Sequence, residues 1–137
     1  MLLNQYQRVM LSFNSLKKNL KKDFSGFKKI KVAILADSAS QFLTNALRGY
    51  GYEQQLDLDI YEADYNQVDL QVFDPSSELY SFAPDFIFIN RSTERLLKDF
   101  SKKNRQEQLQ AADQVARTTQ QYYDTITARL SSKVIIN

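Results

Sequence analysis

A three-layer α/β domain built on a parallel sheet is predicted by three features of the chain. Val32 to Leu35 and Phe86 to Ile89 are short apolar runs with no alternation, as expected of central strands covered on both faces. Segments of helical period separate these runs from one another and from Leu56–Ile60 and Val134–Ile136. Strands that alternate with helices require right-handed crossovers, and these lay the strands parallel. At 137 residues there is room for one core, which would bury about two-thirds of the unfolded surface.

From Leu3 to Leu20, Tyr6, Val9, Phe13, Leu16 and Leu20 recur at spacings of three and four, the stripe of a helix expected to dock ahead of the sheet. Lys17, Lys18, Lys21 and Lys22 lie near its C-terminal end, where positive charge suits the helix dipole. Phe24 to Phe27 breaks the period as a connector. Ile30 to Leu35 is the first strand. Ser40 is placed to cap a following helix that carries Phe42, Leu43, Ala46, Leu47 and Tyr50 on one side and is expected to stop at Gly49 to Gly51.

Leu56-Asp-Leu-Asp-Ile-Tyr61 alternates and reads as a strand nearer an edge. Gln67 to Phe73 and Ser76 to Phe82 read as short helices divided at Asp74-Pro75, because a proline disfavours helix in the residue before it. Pro84 to Asn90 is the third strand, and Leu96, Leu97 and Phe100 mark a short helix after it. Asn104 with Glu107 has capping-box spacing, and Leu109, Ala112, Ala116, Thr119, Tyr123, Ile126 and Leu130 trace the stripe of a long helix. Lys133 to Asn137 is the fourth strand. The expected sheet order is the flavodoxin-like 2-1-3-4, with the N-terminal helix as an addition. The expected division is 1–28 for the docking helix and connector and 29–137 for the α/β domain, read as a fragment of a longer multidomain protein.

Composition narrows the chemistry. There is no Cys, which removes disulfides and thiolate chemistry and fits a reducing cytoplasm, and there is no His. No apolar run approaches a membrane span and the N-terminus lacks the core of a signal peptide, so a cytoplasmic protein without membrane contact is expected. Eight cations precede Asp37 with only Asp23 opposing them; no aromatic pattern interleaves these lysines, so they read as a solvated helix face and no nucleic-acid partner is expected. The three glycines stand at 26, 49 and 51, away from the first strand-to-helix loop, which excludes a dinucleotide fingerprint or P-loop, and no cofactor is expected.

What remains is the carboxyl end of the strands, where open α/β sheets gather their ligands. Ser38, at the end of the first strand, is the candidate nucleophile, yet a serine reacts only when a base can take its proton. Asp37 and Asp64 close neighbouring strands. They could share a divalent cation, but a second carboxylate two residues after Asp37 is replaced by Ala39, and Asp37 is expected to orient its loop through hydrogen bonds, with no metal site.

Ala36-Asp-Ser38 and the strand-end Asn90 resemble the SGNH or GDSL hydrolases, in which Gly-Asp-Ser follows the first strand and an Asn after the third donates to an oxyanion. Their Asp-x-x-His block is not in this sequence. Longer stretches carry a closer resemblance: Ala33 to Leu43, Ala46 to Tyr52, Ile60 to Gln67, Phe73 to Tyr80 and Pro84-Asp-Phe86 are similar to the N-terminal SGNH-like domain of FkbH-like proteins, of the haloacid dehalogenase superfamily, phosphatase subfamily IIIC. The resemblance implies a downstream haloacid dehalogenase domain as partner within the parent chain. It also implies an acyl carrier protein, because characterised members pass a glyceryl unit from an acyl phosphate to a carrier thiol. On this reading the domain is an accessory one, inactive alone, with Asp37, Asn90, Asp64 and Ser92 as candidate substrate-binding residues. The alternative is a serine esterase whose base lies outside the fragment.

Overall fold

The computed structural model describes residues 11–137. The order of elements is α1 (Phe13–Asn19), β1 (Lys28–Ala36), α2 (Gln41–Glu53), β2 (Leu56–Glu62), α3 (Val68–Phe73), α4 (Glu78–Phe82), β3 (Phe86–Asn90), α5 (Thr93–Ser101), α6 (Arg105–Thr127) and β4 (Lys133–Ile136). The strands form one sheet in the order β2-β1-β3-β4, and every pairing is parallel. β1 and β3 are central, as their uninterrupted apolar runs require, while the alternating β2 lies at an edge.

Alternate residues of the strands separate two faces. Ala33 and Leu35 of β1 with Ile87 and Ile89 of β3 meet Val68 and Val72 of α3, Leu79 of α4, and Tyr122 and Ile126 of α6 in one core. Ile34 and Ala36 point to the opposite face, which α2 covers over β2, with α1 laid outside α2. Three layers result, and α1 is packed on a helix and not on the sheet.

Three expectations about the helices are corrected. Tyr6 and Val9 of the stripe from Leu3 lie outside the described residues, while Phe13, Leu16 and Leu20 lie within them; there α1 starts at Phe13, because the Ser12 hydroxyl accepts from the Ser15 amide at 3.2 Å and caps it. α2 does not stop at Gly49 to Gly51 but continues to Glu53, and both glycines are buried. Their role is close approach. A β-carbon on Gly49 would lie 2.2 Å from the carbonyl oxygen of Leu16, and one on Gly51 would lie 3.0 Å from that of Leu56. Phe13 meets Phe42 edge-on at 5.5 Å, and buried Asn19 donates to Gly49 O at 3.0 Å and Glu53 Oε1 at 2.6 Å, so α1 and α2 run side by side in the same direction.

The third correction concerns α6. Its capping box forms as its spacing predicts, the Glu107 amide donating to Asn104 Oδ1 and the Asn104 amide to Glu107 Oε2, both at 3.0 Å. The expected stripe forms only at its C-terminal end, where Ile126 is in the core and Leu130 packs against it. Leu109 is 78% exposed and Tyr123 is exposed, whereas Tyr122 is only 3% exposed. The only buried residues of α6 are Tyr122 and Ile126, one turn apart, because only the end of this helix of about 34 Å lies against the sheet. Residues 105–121 precede that anchor and pair with α5 as a helical hairpin. Gln108 Nε2 closes its tip, donating to the carbonyls of Phe100 at 3.3 Å and Lys103 at 3.1 Å.

Candidate functional site

The strand ends bring Asp37, Ser38, Asp64, Asn90 and Ser92 to one rim. Asp37 is its keystone. This residue is buried; its amide donates to Asn90 O at 3.2 Å, its Oδ1 accepts from the Ser92 amide at 2.8 Å, and its carbonyl accepts from Arg95 Nη1 at 3.1 Å. Ser92 is the N-cap residue of α5, so Asp37 satisfies a donor at the start of α5 and fixes the loop after β3. The expected orienting role is therefore directed at the crossover of the neighbouring strand.

Ser38 is half-buried on the other side of Asp37, in a cavity of about 190 Å³ with Ala39, Ser40, Gln41, Glu62, Ala63, Asp64 and Tyr65. Among the described residues nothing hydrogen-bonds its hydroxyl, and no lysine lines the cavity. Asp64 shares this cavity and is exposed. Asp37 does not line it, and with its Oδ1 already accepting from Ser92 the two carboxylates do not converge on one point. Among the described residues no group of three or more acidic side chains could hold a metal ion.

Asn90 lies opposite Ala36 in the sheet, and its Oδ1 accepts from Asn137 Nδ2 at 3.2 Å, a bond directed across β4. It is brought to the rim but not into the cavity of Ser38.

Two groups of side chains were missed by sequence reasoning. Ser40 occupies the N-cap position of α2 but makes no capping bond; its hydroxyl donates instead to Glu62 Oε1 at 2.6 Å, and Thr44 donates to Glu62 Oε2 at 3.0 Å. The period of two in β2 carried the signal, since Glu62 completes the row of Leu58 and Ile60 that faces α2. On the far side of Asp37, a second cavity of about 200 Å³ is lined by residues including Asn66, Asp69, Arg91, Arg95, Asp99 and Tyr122. Tyr122 donates to Asp69, and burial, reinforced by that carboxylate, pushes its hydroxyl pKa well above the usual tyrosine value. Arg95 also reaches Tyr65, donating to its hydroxyl at 3.2 Å with the guanidinium 5.6 Å from the ring centre. Nη1 of Arg91 is buried with no partner among the described residues. No local pattern announces this cluster, because its members come from the β2–α3 segment, the β3–α5 loop, α5 and α6.

Comparison with known proteins decides the family. The sequence model described as FkbH, N-terminal domain matches residues 31–137. The chain belongs to the FkbH N-terminal domain family. Among solved structures it is similar to the N-terminal part of the protein BF1531 from Bacteroides fragilis, whose description records a phosphatase domain and a complex with Mg. Identity is 34% and the TM-score 0.86; the match covers 93% of this chain and 33% of that one. This FkbH N-terminal domain therefore spans about a third of that relative's length. None of the curated proteins matches the chain. Among the described residues, no helix is long and apolar enough to cross a membrane.

Proposed function

We propose that this FkbH N-terminal domain is a non-catalytic accessory module of a longer enzyme, in which a downstream haloacid dehalogenase domain performs the transfer of a glyceryl or related acyl unit from an acyl phosphate to a carrier protein. One observation carries the accessory reading. The hydroxyl of Ser38 has no hydrogen-bonded base among the described residues, and both oxygens of Glu62 in its cavity already accept from Ser40 and Thr44. The hydroxyl is presented to solvent without a group to activate it. The SGNH-like topology belongs to this reading: the nucleophile half of that site survives as a rim that holds a substrate or partner through Asp64, Asn90 and Ser92. Residues 29–137 form the module and 1–28 its docking segment. The lack of cysteine supports a cytoplasmic setting.

The test is hydrolysis of p-nitrophenyl acetate by the purified chain and its Ser38→Ala variant, beside titration with the carrier protein of the same pathway. Equal background rates for the two proteins, with carrier binding, fit the module. Turnover that disappears in Ser38→Ala would make the domain a serine esterase and overturn it.

A further inference from the structure

The α5–α6 hairpin leaves an apolar groove open. Leu96, Leu97 and Phe100 of α5 face Ala112, Val115 and Ala116 of α6 across a cavity of about 700 Å³. Leu97 is 60% exposed, and Phe100 and Val115 are exposed as well. An amphipathic helix normally turns such residues inward, and here the sheet lies too far toward the C-terminal end of α6 to cover them. Arg91 and Lys103 line the groove, with Asp99 as its one carboxylate. Between Arg91 and Gln121 the sequence carries seven Lys and Arg against four Asp and Glu, a net charge of +3, and Lys102, Lys103 and Arg105 fall at the turn between the two helices, with Glu107 in the following cap.

From this combination we infer that the groove docks an acidic amphipathic helix of a partner protein, its apolar face against Leu97, Phe100 and Val115 and its carboxylates toward the basic tip. Two alanines in the floor of the groove let a helix approach closely, and an apolar trough with a charged border is the usual receptor for such a helix. Charge disfavours a second copy of this chain as occupant, because two hairpins of +3 would repel. The foot of the groove is formed by Arg91, Thr93 and Thr118, next to the Ser92 amide held by Asp37. A partner seated there stands beside the rim that carries Ser38. The inference gives the accessory role a surface; it requires nothing of Ser38, so the esterase assay and the groove can fail separately.

The experiment uses fluorescence anisotropy on the 137-residue chain with a labelled model helix of about 16 residues, Leu on one face and Glu on the other. A control peptide keeps the Leu face and replaces Glu with Lys. The acidic peptide should bind and the basic one should not, and affinity should fall with added salt. Leu97→Glu, at an exposed position that folding does not need, should weaken binding by about tenfold or more. The triple variant Lys102→Glu, Lys103→Glu, Arg105→Glu should weaken it comparably and reduce the salt dependence. Absence of binding, equal binding of both peptides, or indifference to these variants would overturn the inference. So would sedimentation showing a dimer that Leu97→Glu dissociates, which assigns the groove to a second copy. Protection of the groove from hydrogen exchange only when the downstream domain is attached, with loss of peptide binding in that longer protein, would assign it to the parent chain instead.

Discussion

α2 and α6 put helical backbone to opposite uses. α2 is fastened to the body along its length: its two glycines admit the backbone at Leu16 and Leu56, its Glu53 receives the buried Asn19, and its first turn is tied to Glu62 through Thr44. α6 is almost twice as long, yet only Tyr122 and Ile126 are buried, and the rest leaves the sheet with α5. Stability is concentrated where helices touch the sheet, so residues 105–121 of α6 are available for contacts with another molecule. Mutations should reproduce this division.

The largest effect is expected at the anchor. Ile126 is fully buried, and Ile126→Ala should cost about 2–5 kcal/mol through lost burial and the cavity left behind. Urea unfolding of the two proteins measures it; a cost below about 1 kcal/mol would mean that α6 is not held where the core places it. Asp37 comes next. Its carboxylate accepts from the Ser92 amide in a buried setting, and Asp37→Ala should cost about 1.5–3 kcal/mol, the range for a hydrogen bond to a charged group. Asp37→Asn keeps an acceptor oxygen and should recover much of that loss. If both variants were as stable as the parent, the rim would not need Asp37, and a reactive role would become its better explanation.

Gly49→Ala tests α2 directly. Alanine is the better helix former by about 1 kcal/mol, so propensity alone predicts stabilisation. The added carbon would meet the Leu16 carbonyl at 2.2 Å, and separating α1 from α2 should outweigh that gain, leaving a net loss of about 1–3 kcal/mol. The sign of the change in urea midpoint decides between the two effects. This residue also marks where the sequence stops being legible. The strands and the Asn104–Glu107 cap follow from patterns contained within a few residues, and the order 2-1-3-4 from the alternation of strands with helices, so they could be read in advance. Gly49 reads as a helix stop when viewed with its neighbours, because its purpose depends on Leu16, 33 positions earlier. Tyr122 and Tyr123 cannot be told apart by a stripe whose buried end covers one turn. At the rim, Asp37 and Ser38 were visible from strand-end position, whereas Arg91, Asp69 and Tyr122 meet only through the tertiary fold.

The two raised tyrosines make this division depend on pH. Burial, with Glu78 adding to it, raises Tyr61 to about 12, and Tyr122 is pushed further in the same direction; an unfolded tyrosine ionises near 10. Above about pH 10 the unfolded chain therefore holds fewer protons than the folded one, and stability falls as pH rises. The contribution of both groups is complete below about pH 10; that of Tyr61 is lost progressively through about pH 12, and that of Tyr122 extends to higher pH. Tyr122→Phe has no proton to lose, so its urea midpoint should drop less between about pH 8 and pH 11 than that of the parent. Equal drops would place the tyrosine in a wetter site than its contact with Asp69 indicates.

The smallest effect is the most discriminating. Leu109→Gln replaces a large apolar side chain in α6 by a polar one of similar helix propensity, and a leucine that packed on the sheet would lose burial worth about 1.5–3 kcal/mol. At 78% exposure it has little burial to lose, so the change in unfolding free energy should stay within about 0.5 kcal/mol. A cost of about 1 kcal/mol or more would mean that the hairpin is already covered in the free protein, by another copy or by another part of the chain. In that case α6 would be fastened along its length just like α2, and the contrast between them would vanish. Repeating the measurement over a roughly hundredfold range of protein concentration separates the two covers, because only association between copies makes the midpoint rise with concentration.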